Sequence, residues 1–435
     1  MNIKPLAGLL LALAAPASFA AMPADGWRFD FTGKAAAGHT AVQAGTAYDS
    51  TRGFGYEVDN GGNNGANNGA DTSTATATAA ATFFSADVPE GNVAVTVTLG
   101  PGTHTIKSEV RRLMLENVVV PAGQTITRTF VVNTRTPAIA AANGMKAGVV
   151  NLKAPRETVQ EAWNWDRRLT LEIHGGVDKV EIKPVQLPTI FLLGDSTVSD
   201  QPGEPYASWG QMLTRFFKPG VAVANHAQSG ETFRDSLARR RIDKIVSQLR
   251  PGDVVLLQFG HNDQKQIKAG NGGPFTTYKA ELRQHVDMVR EAGGLPVVVS
   301  SMERRRFDAA GKPESTLADY AAAASQSAQE LGVPYIDLNA ASKVLYGALG
   351  VEGSKPAFAL PAPDKLDNTH HSNYGAYLLA KAVVSGIRDA KLPVASQVVD
   401  GFAFDPARPD PFDKFAVPAS PRYTNERPLG DEANR

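Results

Sequence analysis

Five continuous apolar runs punctuate the chain after Leu187: Thr189-Ile190-Phe191-Leu192-Leu193, Val221-Ala222-Val223-Ala224, Val254-Val255-Leu256-Leu257, Pro296-Val297-Val298-Val299 and Tyr335-Ile336-Asp337-Leu338. A strand with one face in water alternates apolar and polar residues. A strand that is apolar throughout is covered on both faces, as in a parallel sheet. Stripes at helical spacing lie between the runs: Ile242, Ile245, Val246 and Leu249; then Tyr278, Leu282, Val286 and Val289; then Tyr377, Ala380, Val384 and Ile387. Parallel strands need long crossover connections, so this alternation predicts a doubly wound α/β domain with helices on both sides of the sheet. Ligands of such sheets bind at the carboxyl ends of the strands.

Before Leu187 the period changes to two. Val93-Ala94-Val95-Thr96-Val97-Thr98, Thr125-Ile126-Thr127-Arg128-Thr129-Phe130 and Leu169-Thr170-Leu171-Glu172-Ile173 alternate, and turns such as Pro121-Ala122-Gly123 separate them. Short alternating strands with turn signals between them predict a β-sandwich. A length of 435 residues also exceeds one ordinary domain. The expected organisation is a sandwich over residues 23–186, an α/β domain over 187–398 and a Pro- and Asp-rich tail over 399–435, with Asn425 to Arg435 disordered. Gly61 to Ala70 (GGNNGANNGA) reads as a mobile or tightly turning loop. Its oxygens, with Asp59 and Asp71, also offer a cation site.

Lys4, the apolar run Leu6 to Ala15 and the small residues Ser18 and Ala20 predict an export signal over residues 1–20, cleaved after Ala20, and secretion to the periplasm or the medium. The run is too short to span a bilayer. The chain has no Cys, which excludes disulfides, thiol catalysis and Cys-based zinc sites. Its 44 basic and 44 acidic residues balance, so charge supplies no reason to bind nucleic acid or an anionic membrane. Nothing in the sequence sets an oligomeric state.

Four short segments carry the chemistry. Gly194-Asp195-Ser196-Thr197 follows the first apolar run, where Gly permits a sharp turn and leaves Ser196 at an exposed strand end as a nucleophile. Asn225-His226-Ala227-Gln228-Ser229-Gly230 follows the second, and Gly230 can bring a backbone N–H close to a substrate oxygen. Gly260-His261-Asn262-Asp263 follows the third, where the Asn262 amide can donate to an oxyanion. His261 shapes this turn. Asp367-Asn368-Thr369-His370-His371 precedes the last helical stripe, and a separation of three at a helix entry can put the Asp367 carboxylate near the His370 imidazole, with Thr369 or Ser372 as the helix cap. Each segment alone also reads as ordinary turn or cap chemistry. Together they supply a nucleophile (Ser196), a base (His370), its orienter (Asp367) and three oxyanion donors: the N–H groups of Ser196 and Gly230, and Asn262. His370 and His371 are adjacent and diverge at a helix start, so no metal site is expected and no cofactor is implied.

These segments resemble, in order, the blocks of the SGNH (GDSL-like) hydrolases: Gly194-Asp195-Ser196, Gly230, Gly260 to Asp263, and Asp367 to His370. The resemblance is closer still to bacterial rhamnogalacturonan acetylesterases, on Asp195-Ser196-Thr197-Val198, Ala207-Ser208-Trp209-Gly210-Gln211-Met212, Phe259-Gly260-His261-Asn262-Asp263 and Asp367-Asn368-Thr369-His370. It covers about Pro188 to Ala390. It implies a flavodoxin-like three-layer fold and metal-independent deacetylation of a pectin polysaccharide or oligosaccharide. After Gly230 many relatives carry an Arg-Ser-type sequence, whereas here Glu231-Thr232-Phe233-Arg234 follows, which bears on substrate contacts. The β-rich part resembles the galactose-binding-like sandwiches of some bacterial members. Its Trp163 and Trp165 suit sugar stacking, core packing or domain docking. Two other readings remain open at this level: an acetylesterase for another polysaccharide such as xylan, and a non-catalytic carbohydrate-binding protein.

Overall fold

Two five-stranded sheets, packed face to face, form the N-terminal part in a computed structural model that describes residues 21–57, 81–424 and 426–429. The expected export signal, the Asn/Gly-rich loop with Asp59 and Asp71, Asn425 and residues 430–435 lie outside the described residues. The strands are β1 (Trp27–Asp30), β2 (Thr40–Ala41), β3 (Phe54–Tyr56), β4 (Thr82–Asp87), β5 (Gly91–Leu99), β6 (Gly102–Ser108), β7 (Arg112–Val120), β8 (Ile126–Thr134), a short pair β9 (Ala138–Ile139) and β10 (Gly148–Val149), β11 (Arg168–His174) and β12 (Lys179–Pro184). One sheet runs β2-β1-β12-β5-β8 and the other β3-β4-β11-β6-β7, antiparallel except for β1 beside β2. The period of two is realised in β5, where Val93, Val95, Val97 and Leu99 are fully buried and the residues between them are partly exposed. They meet Phe29, Phe84, Ile106 and Leu171 in the inter-sheet core. Gly123 takes φ +76° in the turn that joins β7 to β8.

The second part alternates strand and helix: β13 (Thr189–Gly194), α1 (Trp209–Leu213), β14 (Ala222–Asn225), α2 (Phe233–Ala238), α3 (Arg241–Gln248), β15 (Val254–Gln258), α4 (Gln264–Lys268), α5 (Lys279–Glu291), β16 (Leu295–Val299), α6 (Ala318–Leu331), β17 (Tyr335–Ile336), α7 (Leu338–Gly353) and α8 (Asn373–Asp389). The sheet is all-parallel, in the order β14-β13-β15-β16-β17. Ile190 and Leu192 of β13 enter one apolar layer with α1 and α8, while Phe191 and Leu193 enter the other with α3, α5 and α6. This two-sided burial is why the strand is apolar at every position. The fifth run ends sooner than its apolarity suggests. β17 stops at Ile336 because the Asp337 side chain accepts the Ala340 N–H at 3.0 Å, so Leu338 opens α7 instead of extending the strand. Among the described residues no helix is long and apolar enough to cross a membrane.

The two parts share a charged, buried seam. Residues 109–111 form a left-handed turn between β6 and β7 (Glu109 φ +53°, Arg111 φ +63°) that drives two arginines into the α/β part. Arg112 pairs with Asp200 at 2.7 Å, and Arg111 donates to the carbonyls of Gln201 and Tyr206. The stretch after β8 contains two short helical turns, Arg156–Gln160 and Ala162–Asn164, absent from the all-β expectation. It runs against α3, where Asn143 donates to the carbonyls of Val246 and Leu249.

The tail packs along the molecule. Tyr374 donates to the Asp410 carbonyl at 2.6 Å, Lys107 to the Pro418 carbonyl at 2.8 Å, and Ser420 to Glu172 at 2.9 Å. Residues 426–429, expected to be disordered, reach the carboxyl ends of the sheet strands.

Candidate active site

The loops after β13, β14 and β15 and the turn before α8 meet at one rim of the parallel sheet. At the first, Gly194 has no room for a side chain: a Cβ there would stand 2.6 Å from the Gln258 carbonyl oxygen on β15. The Asp195 carboxylate accepts the Thr197 N–H (2.9 Å) and hydroxyl (2.8 Å), closing a tight turn that presents Ser196. The Ser196 hydroxyl lies 2.9 Å from His370 Nε2, and His370 Nδ1 lies 2.9 Å from Asp367 Oδ2. The spacing of three works because Asp367 Oδ1 accepts the N–H groups of Thr369 (2.8 Å) and His370 (2.9 Å), which folds the imidazole back onto Oδ2. Ser372, not Thr369, caps α8.

Gly230 takes φ +76°, a conformation that favours glycine. Asn262 donates one amide hydrogen to the Glu231 carbonyl at 3.0 Å, which ties the β15 loop to the residue after Gly230. Among the described residues the backbone N–H groups of Ser196 and Gly230 have no hydrogen-bond partner. The structure thus brings Ser196, His370, Asp367, Gly230 and Asn262 to one rim.

Burial pushes the Asp367 carboxyl up, but the His370 ring, Arg427 and the His370 backbone N–H outweigh it and hold the group well below the usual carboxylate range. Asp367 is therefore ionised wherever His370 has work to do. Tyr206 sets its ring edge-on to the His370 imidazole, 5.9 Å between centroids, and is pushed up to about 12 by burial and by Asp367. His261 Nδ1 lies 3.4 Å from Asp195 Oδ2, beside the turn that carries Ser196. His371 points elsewhere: its Nε2 lies 2.8 Å from the Tyr346 hydroxyl and its ring packs on Phe358, so burial, with His370 adding to it, lowers it to about 3. Among the described residues no group of three or more His, Asp or Glu side chains is arranged to hold a metal ion.

Sequence reasoning missed the residues that support this rim. Gln201 donates to the Ser196 carbonyl at 2.6 Å and contacts the hydroxyls of Ser199 and Ser229. Its amide oxygen accepts from Arg156 at 2.8 Å. Arg427 meets the Asp367 carboxylate. Neither forms part of a motif. The adjacent pair Arg111-Arg112 was the visible clue, since two cations interrupting a buried β-pattern need partners elsewhere. Trp163 and Trp165 are buried in the seam, with Arg422 over the first ring at 4.5 Å and Arg135 over the second at 4.4 Å. Neither offers a free face for a sugar. Beside Gly230 opens a cavity of about 490 Å³ edged by Lys153, Arg239, Lys265 and Leu429.

Residues 192–375 match the GDSL-like lipase/acylhydrolase family, and residues 27–141 match the galactose-binding-domain-like family of β-agarase/YxiM-esterase-like proteins. The chain is similar to rhamnogalacturonan acetylesterase RhgT of Bacillus subtilis (strain 168), 42% identical over 227 residues that make up 50% of this chain and 95% of that protein. It is also similar to the uncharacterized esterase YxiM of the same organism, 26% identical over 377 residues, 83% of this chain and 90% of that one. The crystal structure of YxiM superposes with a TM-score of 0.46 at 23% identity, covering 85% of this chain and 99% of that chain.

Proposed function

Because the chain belongs to the GDSL-like lipase/acylhydrolase (SGNH) family, and is a carboxylic ester hydrolase, we propose that it removes O-acetyl groups from a plant cell-wall polysaccharide, rhamnogalacturonan, through an acetyl-enzyme on Ser196. The observation that carries this reading is the unbroken relay from the Ser196 hydroxyl through His370 to Asp367, with both links at 2.9 Å. His370 takes the hydroxyl proton as Ser196 Oγ attacks the acetyl carbonyl carbon. The N–H groups of Ser196 and Gly230 and the Asn262 amide hold the oxyanion. His370 returns the proton to the sugar oxygen as that C–O bond breaks. Water then attacks the acetyl-enzyme, giving a proton to His370, and acetate leaves as Ser196 regains its own.

The choice of an acidic polysaccharide over xylan draws support from the cavity beside Gly230. Its rim cations, Lys153, Arg239 and Lys265, suit a backbone that carries galacturonate carboxylates. Export follows from Lys4, the Leu6 to Ala15 run and Ala20, and a mature N-terminus at Ala21 in the secreted protein is its test. The function is tested by acetate release from acetylated rhamnogalacturonan, pectins and xylan, with Ser196→Ala alongside. Release from rhamnogalacturonan that vanishes in Ser196→Ala supports the reading. Faster release from xylan moves the substrate, and undiminished release by Ser196→Ala removes the mechanism.

A further inference from the structure

Described residues near the end of the chain cross the rim at which the triad sits. Arg427 Nε lies 2.7 Å from Asp367 Oδ2, and a terminal guanidinium nitrogen lies 3.2 Å from Oδ1. Leu429 lies against Gly230: a Cβ added to that glycine would stand 3.0 Å from the leucine Cβ. The loop between β13 and α1 and the N-terminal domain together hold this segment in place. The Glu204 N–H donates to the Arg422 carbonyl and the Thr424 N–H to the Glu204 carbonyl, while the Glu204 carboxylate pairs with Arg111 and accepts the Ser420 N–H. Arg422 covers Trp163 and donates to the Gln160 carbonyl at 2.8 Å, and the Gln160 amide donates to Glu426 at 2.9 Å.

We propose that Arg427 is a positioning residue for ester hydrolysis, delivered to Asp367 by a C-terminal strap that the N-terminal domain clamps. The proposal rests on Ser196, His370 and Asp367 acting as the triad. A carboxylate that orients a histidine must hold its plane. Asp367 receives the imidazole and two backbone N–H groups from one side of the sequence, and the guanidinium fork spans both its oxygens from the other. Turning the carboxylate breaks these contacts together.

The fork also has an electrostatic effect. It sets a permanent cation 2.7 Å from Asp367 Oδ2, on the carboxylate that orients the imidazole.

The test compares the full-length chain with Arg427→Ala, Arg427→Lys, Arg422→Ala and Ser196→Ala on p-nitrophenyl acetate, from about pH 4.5 to 8.5, with kcat and KM separated. Arg427→Ala is expected to lower kcat roughly ten-fold and leave KM within about two-fold. Arg427→Lys should recover much of kcat, because it keeps a cation on the carboxylate. Arg422→Ala, which touches neither Asp367 nor His370, should act in the same direction and more weakly by loosening the strap. A wild-type kcat in Arg427→Ala overturns the proposal. So does faster turnover, which would make the strap a barrier over the site. Loss of turnover in Ser196→Ala with Arg427→Ala unaffected removes the role of Arg427 alone, whereas retained turnover in Ser196→Ala removes the triad beneath it.

Discussion

Gln201 donates a side-chain N–H to the Ser196 carbonyl at 2.6 Å, while its own amide oxygen accepts from Arg156 of the N-terminal part at 2.8 Å. One buried amide thus links the nucleophile turn to the other domain and, through its contact with the Ser229 hydroxyl, to the loop that carries Gly230. The sandwich is part of the scaffold that holds Ser196 in place.

Gln201→Leu keeps the volume and removes these bonds. It leaves the Ser196 carbonyl and an Arg156 N–H buried without this partner, at a cost of about 2 kcal/mol in stability. It also lets the nucleophile turn drift, for which roughly a ten-fold drop in kcat is expected. Urea unfolding and steady-state kinetics read the two effects, and a wild-type kcat would show that the turn holds itself.

Asn262→Ala removes one proposed oxyanion donor and, because the same amide holds the Glu231 carbonyl, one restraint on Gly230. Loss of such a donor lowers kcat by about 10²–10³. KM should change far less, since the acetyl oxygen gains its charge only in the transition state. A KM that rises while kcat stands would assign Asn262 to ground-state binding.

Much of this was legible in the sequence for a physical reason. Strands buried on both faces have to be apolar throughout, so β13, β14, β15 and β16 announce themselves, and the residues just beyond β13, β14 and β15 are the ones that the fold exposes to ligand. Helix α6 left no such trace because its buried face is built on Ala323, Ala324 and Ala328, whose small side chains make a faint stripe. Gln201 and Arg427 were invisible because a polar residue in a loop declares no partner until the fold supplies one. Residues 426–429 were misjudged for the same reason: Glu, Arg and Pro look like a solvated terminus unless a buried carboxylate is waiting for the arginine.

Arg112 tests the seam. Its guanidinium is 1% exposed and pairs with an equally buried Asp200, while also donating to the Asn133 carbonyl and the Asn164 amide oxygen. Arg112→Met leaves Asp200 charged in a site with little water, and removing one partner of such a pair costs about 3–5 kcal/mol. Asp200→Asn on top of it should recover part of that loss, because it removes the stranded charge. The denaturant midpoints of the two variants decide this, and equal midpoints would mean that Asn225, which also donates to Asp200, suffices to hold the carboxylate.

Glu172 fixes a pH dependence. Burial pushes its carboxyl up, but the Lys107 ammonium at 3.0 Å and the His174 ring at 2.7 Å pull it down further, from 4.5 to about 2. A depressed carboxylate adds stability that is complete above its unfolded value and is lost as pH falls through the folded one. Here the window is from about pH 4.5 down to 2, and a shift of this size corresponds to about 3 kcal/mol. Glu172→Gln should therefore be less stable than wild type by about that amount at pH 7. The gap should close on acidification, because a protonated Glu172 leaves Lys107 as poorly paired as the glutamine does. Ser420 and Pro418 bond to the same cluster, so the tail should detach from the sandwich in the same pH range. Urea midpoints of both proteins at pH 7, 5, 4 and 3 measure the gap, and a difference that stays constant down to pH 3 would show that the charge of Glu172 contributes nothing to holding the strap.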